Sequence, residues 1–367
     1  DDYQVQPLLP SRQSQSGSGI AVGDVDGDGD EDLYLGGAAG QSGTLMIRHG
    51  SEWRKGHDPF SVDANSEDMG ALFFDSDGDE DLDLYVVSGG VEVSVNSPFL
   101  QDRLYLNRGD GSYRKADGGF LPKTTVSGSV VAACDFDRDG DLDLFVGGRS
   151  VPGQYPLAAP NQLLLNDHGK FEDISSRMSP SLRDSGLVTS ALWSDKDGDG
   201  WVDLFITHHW GAVAVFRNRG GRLVDETKSS GLSLDLGWWN GITGADFDQD
   251  GEIDYVVSNL GNNSKYHGDS LHPNVIYYGD VDGSGVSRIV EAKFEGEICY
   301  PERGKSCSTA AIPSLAGKFK SFEGFALASL NDIYPNQKLN QALRLEVNRL
   351  ESVLLRNDRG QFRVEPL

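Results

Sequence analysis

Aspartate recurs at every second position in five short segments of this chain, and each segment then turns apolar. The first segment reads GDVDGDGDEDLYL and runs from Gly23 to Leu35. In all five, Asp occupies positions 1, 3, 5 and 9 of a loop, and position 6 is usually Gly. Alternate carboxylates on a tightly curled loop can point toward one centre, and they repel one another unless a cation lies between them. The pattern therefore indicates a metal site rather than acid–base catalysis.

Calcium is the cation that fits this donor set. Ca²⁺ takes roughly six to eight oxygen ligands at about 2.3–2.6 Å, and the backbone carbonyl at position 7 adds to the side chains. We expect about five calcium sites. Position by position, the candidate ligands are Asp24, Asp26, Asp28, Asp30 and Asp32; Asp75, Asp77, Asp79, Asp81 and Asp83; Asp135, Asp137, Asp139, Asp141 and Asp143; Asp195, Asp197, Asp199, Trp201 and Asp203; and Asp246, Asp248, Asp250, Glu252 and Asp254.

Two loops depart from the pattern. Glu80 stands at position 6 of the second loop, where a turn favours Gly, so this site is predicted to be the weakest of the five. A sixth segment, GDVDGSGVSRIV, keeps Asp280 and Asp282 but has Ser284 and Arg288 where the others have Asp, which predicts a degenerate loop. A helix-flanked calcium loop would need Glu at position 12. That position is apolar in all five loops, at Leu35, Val86, Val146, Ile206 and Val257.

The elements that carry these loops are predicted to be β-strands. The loops begin about 50 to 60 residues apart, and Asn-led turns lie between them in LYLNRGDGSY, LLLNDHGKF, VFRNRGGRL and LLRNDRGQF. Each repeat thus reads as four antiparallel strands, which is the pattern of a propeller blade. We predict an all-β protein, a β-propeller with six readable blades of which the fifth is incomplete. Seven blades are plausible for the complete ring.

Composition excludes several functions. The chain has 367 residues, with 57 acidic and 32 basic side chains and a formal net charge of −25. This excess of acidic side chains argues against binding to nucleic acids and against binding to anionic membrane surfaces. No apolar run approaches the roughly 18 residues needed to span a bilayer. Neither a GxSxG nor an HExxH motif occurs, so we predict that the chain is not an enzyme.

The strand pattern breaks between residues 291 and 352. SLND, from Ser329 to Asp332, fits a capping box, and Leu339, Leu343, Val347 and Leu350 recur at helical spacing after Pro335. We predict one domain over residues 1–367 with a helical insertion at 291–352, between the second and third strands of the last blade. The insertion either covers one end of the propeller or docks a partner.

Two further groups of residues carry open alternatives. Trp238 and Trp239 precede a predicted strand, where one is expected in the core and the other exposed, available either for packing or for a ligand. The THHW segment at 207–210 is expected in a surface loop. Cys299 and Cys307 are spaced for a small disulfide loop but are equally compatible with free thiols, and Cys134 is expected to be a buried free thiol.

The motifs resemble the FG-GAP/VCBS repeat, the calcium-loop blade also found in integrin α-subunit propellers. Longer phrases, such as SEDMGALFFDSDGDEDLDLYVVSGG, GWWNGITGADFDQDG and LNDIYPNQKLNQALRLEVNRLESVLLRND, resemble bacterial repeat proteins of the ASPIC/UnbV-associated group, similar to cartilage acidic protein. The resemblance implies a β-propeller with calcium in its loops, an exported or cell-surface location, and a binding role. The ASPIC/UnbV segment itself is absent, and the chain stops at FRVEPL, where such proteins usually continue.

The first residues, DDYQVQPLLP, are expected to be a mature or trimmed end, with any signal peptide outside this chain. YQVQPLLP resembles the final strand, FRVEPL, and is predicted to close a last blade whose other strands lie elsewhere.

Three hypotheses follow. The leading one is a calcium-stabilised, exported, non-catalytic binding module at the cell surface, with a protein or glycan ligand on one propeller face. The alternative is a carbohydrate-binding or polysaccharide-processing component of an outer-surface uptake system, with its site near the propeller axis. The third is a structural subunit of an envelope or outer-membrane complex.

Overall fold

The computed structural model describes residues 2–367, and its regular structure is mostly β-strand. The strands are β1 (Ile20–Gly23), β2 (Asp32–Leu35), β3 (Thr44–His49), β4 (Glu52–Lys55), β5 (Glu67–Phe74), β6 (Asp83–Gly89), β7 (Arg103–Leu106), β8 (Arg114–Lys115), β9 (Gly128–Cys134), β10 (Asp143–Gly148), β11 (Gln162–Asp167), β12 (Lys170–Asp173), β13 (Leu187–Ser194), β14 (Asp203–Gly211), β15 (Ala214–Asn218), β16 (Leu223–Asp225), β17 (Gly237–Trp238), β18 (Gly241–Ala245), β19 (Asp254–Ser258), β20 (Asn274–Gly279), β21 (Arg288–Glu295), β22 (Ile298–Pro301), β23 (Leu343–Val347), β24 (Val353–Asp358) and β25 (Gln361–Pro366).

These strands form six antiparallel sheets of the kind predicted, which confirms the all-β propeller. The first four sheets take their strands in chain order, β1–β4, β5–β8, β9–β12 and β13–β16, and β17 adds to β14. The first strands β1, β5, β9, β13 and β18 contact one another in succession. They are therefore the innermost strands of five consecutive blades, and each acidic loop lies between the first and second strand of its blade.

The fifth blade is built from two distant parts of the chain. Its order is β18-β19-β24-β25, with Tyr255 paired to Leu355 and Val257 paired to Val353. The LLRNDRGQF hairpin therefore completes the fifth blade rather than the sixth, to which sequence reasoning assigned it. Local pattern cannot reveal this pairing, because any apolar strand with an Asn-led turn suits either blade.

The sixth sheet has the order β22-β21-β20-β23 and lies between β19 and β24 in the chain. The helical part of the predicted insertion is shorter than 291–352, because β21, β22 and β23 occupy its two ends. The helices are all short: α1 (Asp2–Val5), α2 (Ser175–Met178), α3 (Pro180–Arg183), α4 (Lys305–Ala311), α5 (Ser314–Lys318), α6 (Phe322–Ala326), α7 (Leu330–Ile333) and α8 (Asn336–Gln341). Of these, α4 to α8 lie between β22 and β23.

Two helical features of the insertion were predicted with different success. The capping box is confirmed, since the Ser329 side chain accepts from the Asp332 N–H and the Asp332 side chain accepts from the Ser329 N–H. The helical spacing that continued through Leu343 and Val347 is wrong, because both residues lie in β23. Pairing with the open edge of β20 overrides a weak helical periodicity there.

The N-terminal segment does not form a closing strand. Asp2–Val5 is a single helical turn, and Gln6 exchanges hydrogen bonds with the backbone of Tyr155, 2.6 and 2.9 Å long. Leu9 is buried and its carbonyl accepts a 2.7 Å hydrogen bond from Arg303. These contacts fix the segment against neighbouring loops, so the prediction that YQVQPLLP closes a blade is wrong.

The core lies between neighbouring sheets. Phe205 of β14 and Tyr255 of β19 are fully buried, with ring centroids 4.3 Å apart, and Phe362 of β25 packs against both. Burying such a side chain contributes about 1.5–3 kcal/mol. No helix within residues 2–367 has the length and apolar character required to cross a membrane.

Candidate metal centres

The first carboxylate of each acidic loop holds the loop in its curled shape. Asp24 accepts backbone N–H groups from Gly27 at 2.9 Å and from Gly29 at 2.8 Å. The position-1 Asp of every other acidic loop also accepts loop N–H groups, including that of position 6, as seen at Asp75, Asp135, Asp195, Asp246 and Asp280. Position 1 therefore shapes the loop as well as offering oxygens to a cation.

Positions 4 and 6 both require left-handed backbone. Position 6 has φ between 71° and 101° in the five main loops, and its one non-Gly residue is Glu80, at 71°. This is the conformation that sequence reasoning identified as strained for a residue with a Cβ. The same requirement at position 4 was missed, where Arg138 and Gln249 both have φ of 65°. Its signal was the Gly that stands at position 4 in the other three main loops.

The Asp at position 3 of four loops has a buried carboxylate oxygen that no hydrogen-bond donor of the described residues contacts. Four loops place one oxygen of this carboxylate, the Oδ1 atom, inside the protein with no hydrogen-bond partner among residues 2–367, at Asp26, Asp77, Asp137 and Asp197. Burial and neighbouring loop carboxylates raise the pKa of Asp26, Asp77 and Asp137 above its usual value. A buried carboxylate oxygen that lacks a donor is costly, and a divalent cation would satisfy it.

The predicted ligands converge in space. In each of several groups, one oxygen per carboxylate lies within 4.8 Å of the others, as for Asp24, Asp26 and Asp32, for Asp75, Asp77 and Asp79, and for Asp135, Asp137 and Asp143. At position 7 of loop four, Trp201 lies under the Arg138 guanidinium, 4.1 Å from its ring centroid, and its side chain offers no oxygen to a cation. An all-oxygen donor set of this kind fits Ca²⁺.

Position 9 has a structural role that sequence reasoning did not assign to it. Asp143 is fully buried and accepts from the N–H of Phe136 at 3.3 Å and of Asn166 at 2.8 Å. Its two oxygens thus connect the loop to the third strand of the blade. Burial raises the pKa of Asp143 to about 7, and those of its equivalents Asp83 and Asp203 to about 6.

The Asn of each hairpin turn links neighbouring blades. Asn166 donates from Nδ2 to the Ser76 carbonyl of the preceding blade's loop at 2.8 Å and to the Leu142 carbonyl of its own loop at 3.1 Å. The same bond to the preceding loop recurs at Asn107 (to Val25), Asn218 (to Phe136) and Asn357 (to Lys196). Sequence reasoning recognised these residues only as turn formers.

Some loops already contain a cation that belongs to the protein. Arg356 places Nη1 2.9 Å from Asp248 and 2.8 Å from Asp254 in loop five. In the sixth loop Lys338 from α8 lies 2.7 Å from Asp280, and this contact lowers the pKa of that carboxyl. In loop four Arg217 lies 2.7 Å from Asp197 and 2.9 Å from Asp199, so this loop also contains a cation of the protein. Among residues 2–367, no Arg or Lys lies within ion-pair distance of the carboxylates at positions 1, 3, 5 and 9 of the first three loops.

Histidine lies beside two of these first three loops. His49 contacts Asp28 at 2.5 Å, which raises the pKa of the imidazole, and the exposed His168 lies 3.1 Å from Asp141. Both side chains come from the hairpin turn between the third and fourth strands of a blade.

The prediction that one of Trp238 and Trp239 is exposed needs correction. Trp238 and Trp239 are both buried, 5% and 1% exposed, so neither is free to stack on a ligand. Trp238 packs on Trp210 and Tyr266, whereas Trp239 lies in the core shared with the fifth blade. They face opposite sides, as alternation requires, but protein covers both sides.

The THHW segment is part of β14 rather than a surface loop. His208 is buried, donates from Nδ1 to the Ala212 carbonyl at 2.8 Å and accepts from Ser185, and burial lowers its pKa to about 4.

Cys299 and Cys307 are free thiols. Cys299 packs from β22 against the helices, whereas Cys307 is exposed on α4. Cys134 is also free and half-buried, and burial raises its pKa to about 12.

Comparison with known families identifies the repeats. Residues 88–146 and 195–257 match the FG-GAP-like repeat, and each match ends on the second strand of a blade that carries an acidic loop. These two parts of the chain therefore carry FG-GAP-like repeats. The chain is 28% identical to human cartilage acidic protein 1 over 179 residues and 27% identical to the mouse protein over 179 residues. Those alignments cover 46% of this chain and 24% and 25% of the relatives. The matched part thus spans about a quarter of the length of these curated relatives.

Solved structures that are similar to this chain are distant in sequence. BBS1N in complex with ARL6DN has a TM-score of 0.39 at 12% identity, covering 81% of this chain and 84% of the other. The V. cholerae biofilm matrix protein Bap1 has a TM-score of 0.36 at 12% identity, covering 98% and 68%. The soluble aldose sugar dehydrogenase of Escherichia coli has 0.35 at 9% identity, covering 80% and 88%. Likenesses at this distance carry no functional argument.

Proposed function

We propose that this chain is a calcium-stabilised, exported β-propeller that serves as a non-catalytic binding module at the cell surface. The calcium part is supported by one observation above all, the buried position-3 oxygens of four loops that have no hydrogen-bond donor. Ca²⁺ would take these oxygens together with those of positions 1, 5 and 9 and the position-7 carbonyl. The ion would relieve the mutual repulsion of the loop carboxylates, which is its structural contribution here.

The binding and location parts are supported by the family. The FG-GAP-like repeat and the likeness to cartilage acidic protein 1 favour a module that binds a protein or glycan outside the cell. Assembly into an envelope or outer-membrane complex is one form such binding could take. The net charge of −25 keeps nucleic acid from being the ligand.

Calcium at extracellular concentrations would be enough to matter for folding. Extracellular modules bind Ca²⁺ with Kd of about 0.1–1 mM, and at ten times Kd each site adds about 1.4 kcal/mol of stability. Loops one to three are expected to contribute most, because their carboxylates at positions 1, 3, 5 and 9 have no Arg or Lys partner in the part of the chain that the structure describes.

The test is thermal unfolding of the full chain in EGTA, then with millimolar Ca²⁺ or Mg²⁺. We expect Ca²⁺ alone to raise the melting temperature by many degrees, and Asp137→Asn to lose part of that rise. Asp117→Asn, at an exposed Asp outside the loops, is the matched control and should keep the full rise. Equal melting temperatures in EGTA and Ca²⁺, with no calcium by elemental analysis, would refute the calcium assignment.

Trp238 and Trp239 do not support the alternative of carbohydrate binding, because both are buried. Its remaining support is a polar pocket near the start of the innermost strands.

A further inference from the structure

A polar pocket opens where the innermost strands of blades two, three and four begin. Its cavity of about 360 Å³ is lined by Ser16, Met69, Ser129, Arg149, Thr189, His209 and Asn240. The acidic loops follow the last residues of the same strands, so the pocket and the loops lie at opposite ends of the propeller. We call it the axial pocket, because β5, β9 and β13 are successive innermost strands.

A β-bulge at the same place in each of three blades directs one side chain into this pocket. In blade two, Asp68 pairs with Ser88 and Gly70 with Val87, which leaves Met69 as an extra, unpaired residue. Ser129 and Thr189 are the extra residues at the equivalent places in the third and fourth blades. Such β-bulges re-aim a side chain and are enriched beside functional sites. A threefold repeat of the bulge shows that the fold builds the axial pocket.

Arg149 enters the axial pocket without a carboxylate partner. It donates to the Val188 carbonyl at 3.2 Å and to His209 Nδ1 at 3.1 Å, and it forms no ion pair within residues 2–367. These bonds use two of the five N–H donors of the guanidinium. An unpaired arginine is unexpected in a chain of net charge −25, and no Asp or Glu lines the cavity.

His209 serves here as a neutral acceptor. Its Nε2 donates to Asn240 Oδ1 at 3.1 Å, which leaves Nδ1 to accept from Arg149. Burial and the adjacent guanidinium lower the pKa of His209 well below its usual value, so the ring carries no charge at neutral pH. Among the described residues that line the axial pocket, Arg149 is therefore the one charged group. The Asn240 amide, whose Oδ1 is occupied, still has its N–H donors.

The chemistry of the lining selects the ligand class. A partly buried guanidinium without a counterion favours an anion, and its planar fork matches a carboxylate. The strongly negative protein disfavours a doubly charged ligand more than a singly charged one. The Ser129 hydroxyl donates to the Gly147 carbonyl at 3.0 Å, and the Thr189 hydroxyl shares a 2.8 Å hydrogen bond with the Thr207 hydroxyl. Each hydroxyl oxygen keeps a lone pair that can accept from a ligand hydroxyl. A cavity of about 360 Å³ suits a small molecule.

We infer that the axial pocket binds a small hydroxylated monocarboxylate of the sugar-acid class, with Arg149 holding the carboxylate and Asn240 and the two hydroxyls contacting the ligand's hydroxyl groups. This deepens the proposed binding function and rests on it, but it does not depend on calcium reaching the loops at the other end of the propeller.

The test is isothermal titration of the full chain, in calcium, with D-glucuronate and D-gluconate as probes and with D-glucose and inorganic phosphate as comparators. We expect at least one of the two acids to bind saturably, and D-glucose and phosphate to bind about tenfold more weakly or not at all. Arg149→Gln should weaken binding of the acid by about tenfold or more, the factor expected for a lost charged hydrogen bond. Arg54→Gln, at an exposed Arg far from the cavity lining, should leave the affinity unchanged.

Three outcomes overturn the inference. They are no saturable binding of either acid up to about 10 mM, equal affinity in Arg149→Gln and the parent, and tighter binding of phosphate than of either acid. If Arg149→Gln unfolds, Asn240→Ala replaces it as the variant, since Asn240 is exposed and should weaken the acid several-fold without loss of fold. A calcium-dependent rise in melting temperature that persists while both acids fail would refute the axial pocket and leave the proposed calcium role intact.

Discussion

At the scale of single residues, the acidic loops differ in what opposes their negative charge. The carboxylates at positions 1, 3, 5 and 9 of loops one to three have no Arg or Lys partner among residues 2–367, whereas loop six has Lys338 in contact with Asp280 and loop five has Arg356 between Asp248 and Asp254. Loops four and five are therefore expected to bind an external cation more weakly than loops one to three, because Arg217 and Arg356 each contact two of their carboxylates. The strained Glu80 is a separate reason to expect weak binding in loop two.

Replacing Arg356 with Leu tests this difference. Leu106 and Leu165 occupy the equivalent place in blades two and three, so Leu fits the strand. We expect Arg356→Leu to lower the melting temperature in EGTA, because Asp248 and Asp254 lose their partner, and to tighten calcium binding at loop five. Calcium titration by calorimetry measures the change. The exposed Arg363→Leu is the control, and an unchanged calcium stoichiometry and affinity would contradict the prediction.

Glu67 gives the protein a predictable response to pH. Burial, with the adjacent Glu92, raises the pKa of Glu67 from 4.5 to about 8. Folding therefore takes up a proton between these values, and the Glu67 contribution to stability falls as pH rises from about 4.5 to about 8. Glu67→Gln should stabilise the protein more at pH 8 than at pH 5, as measured by urea midpoints.

The control for Glu67 is Glu52→Gln at an exposed position, which should have the same small effect at both pH values. A gain from Glu67→Gln that is equal at pH 5 and pH 8 would show that Glu67 does not titrate in this range.

At the scale of elements, the acidic loop and the hairpin turn act as one unit. The position-9 Asp fixes the loop to the third strand, and the turn Asn reaches from that strand to the loop of the preceding blade. Blade-to-blade contact is thus polar and directional at this end of the sheets, and apolar between their faces. Calcium would order the same loops that the Asn side chains hold.

Asn166→Ala is the sharpest test of this connection. It removes donors from the Ser76 and Leu142 carbonyls and an acceptor from the Gly169 N–H at 2.9 Å. Asn166 is 2% exposed, so water does not replace these bonds, and we expect a loss of about 2–4 kcal/mol in the free energy of unfolding. Denaturant unfolding measures it. Asn331→Ala, at an exposed position, should change stability by about 0.5 kcal/mol or less, and a similar small loss at Asn166 would refute the link.

At the scale of the whole molecule, the chain returns to its fifth blade only at its last two strands. β19 has no partner on its outer side until β24 pairs with it, and Val353 and Leu355 are fully buried there. The sixth sheet and its helices lie in the chain between the two halves of this blade. Completion of the fifth blade therefore depends on contacts of long sequence separation, which form slowly.

Deleting residues 353–367 should prevent stable folding. The change would leave the edge of β19 open and the loop-four carbonyl of Lys196 without its Asn357 donor. We expect loss of the cooperative thermal transition and aggregation, measured by calorimetry and light scattering. As a control, a four-residue Gly/Ser insertion after the exposed Ser270 should keep the transition, since surface loops tolerate added length. A soluble truncated chain with the parent's transition would contradict the prediction.

Local spacing by itself determined the acidic loops, the strand repeat and the capping box at Ser329. These features depend on neighbours within about twelve residues, where turn geometry and alternation leave few choices. The recurrence of this four-stranded unit along the chain then indicated propeller blades, because a single four-stranded sheet cannot bury both of its faces without neighbouring sheets.

Only the tertiary structure decided which segment completes the fifth blade, that Trp238 and Trp239 are both covered, and that Arg356 and Lys338 enter acidic loops. It also decided that three bulges and Arg149 meet at the axial pocket. The physical reason is the same in each case. Strand pairing and side-chain contact between residues far apart in the chain depend on the shape of the assembled sheets, and no local pattern in the sequence encodes that shape.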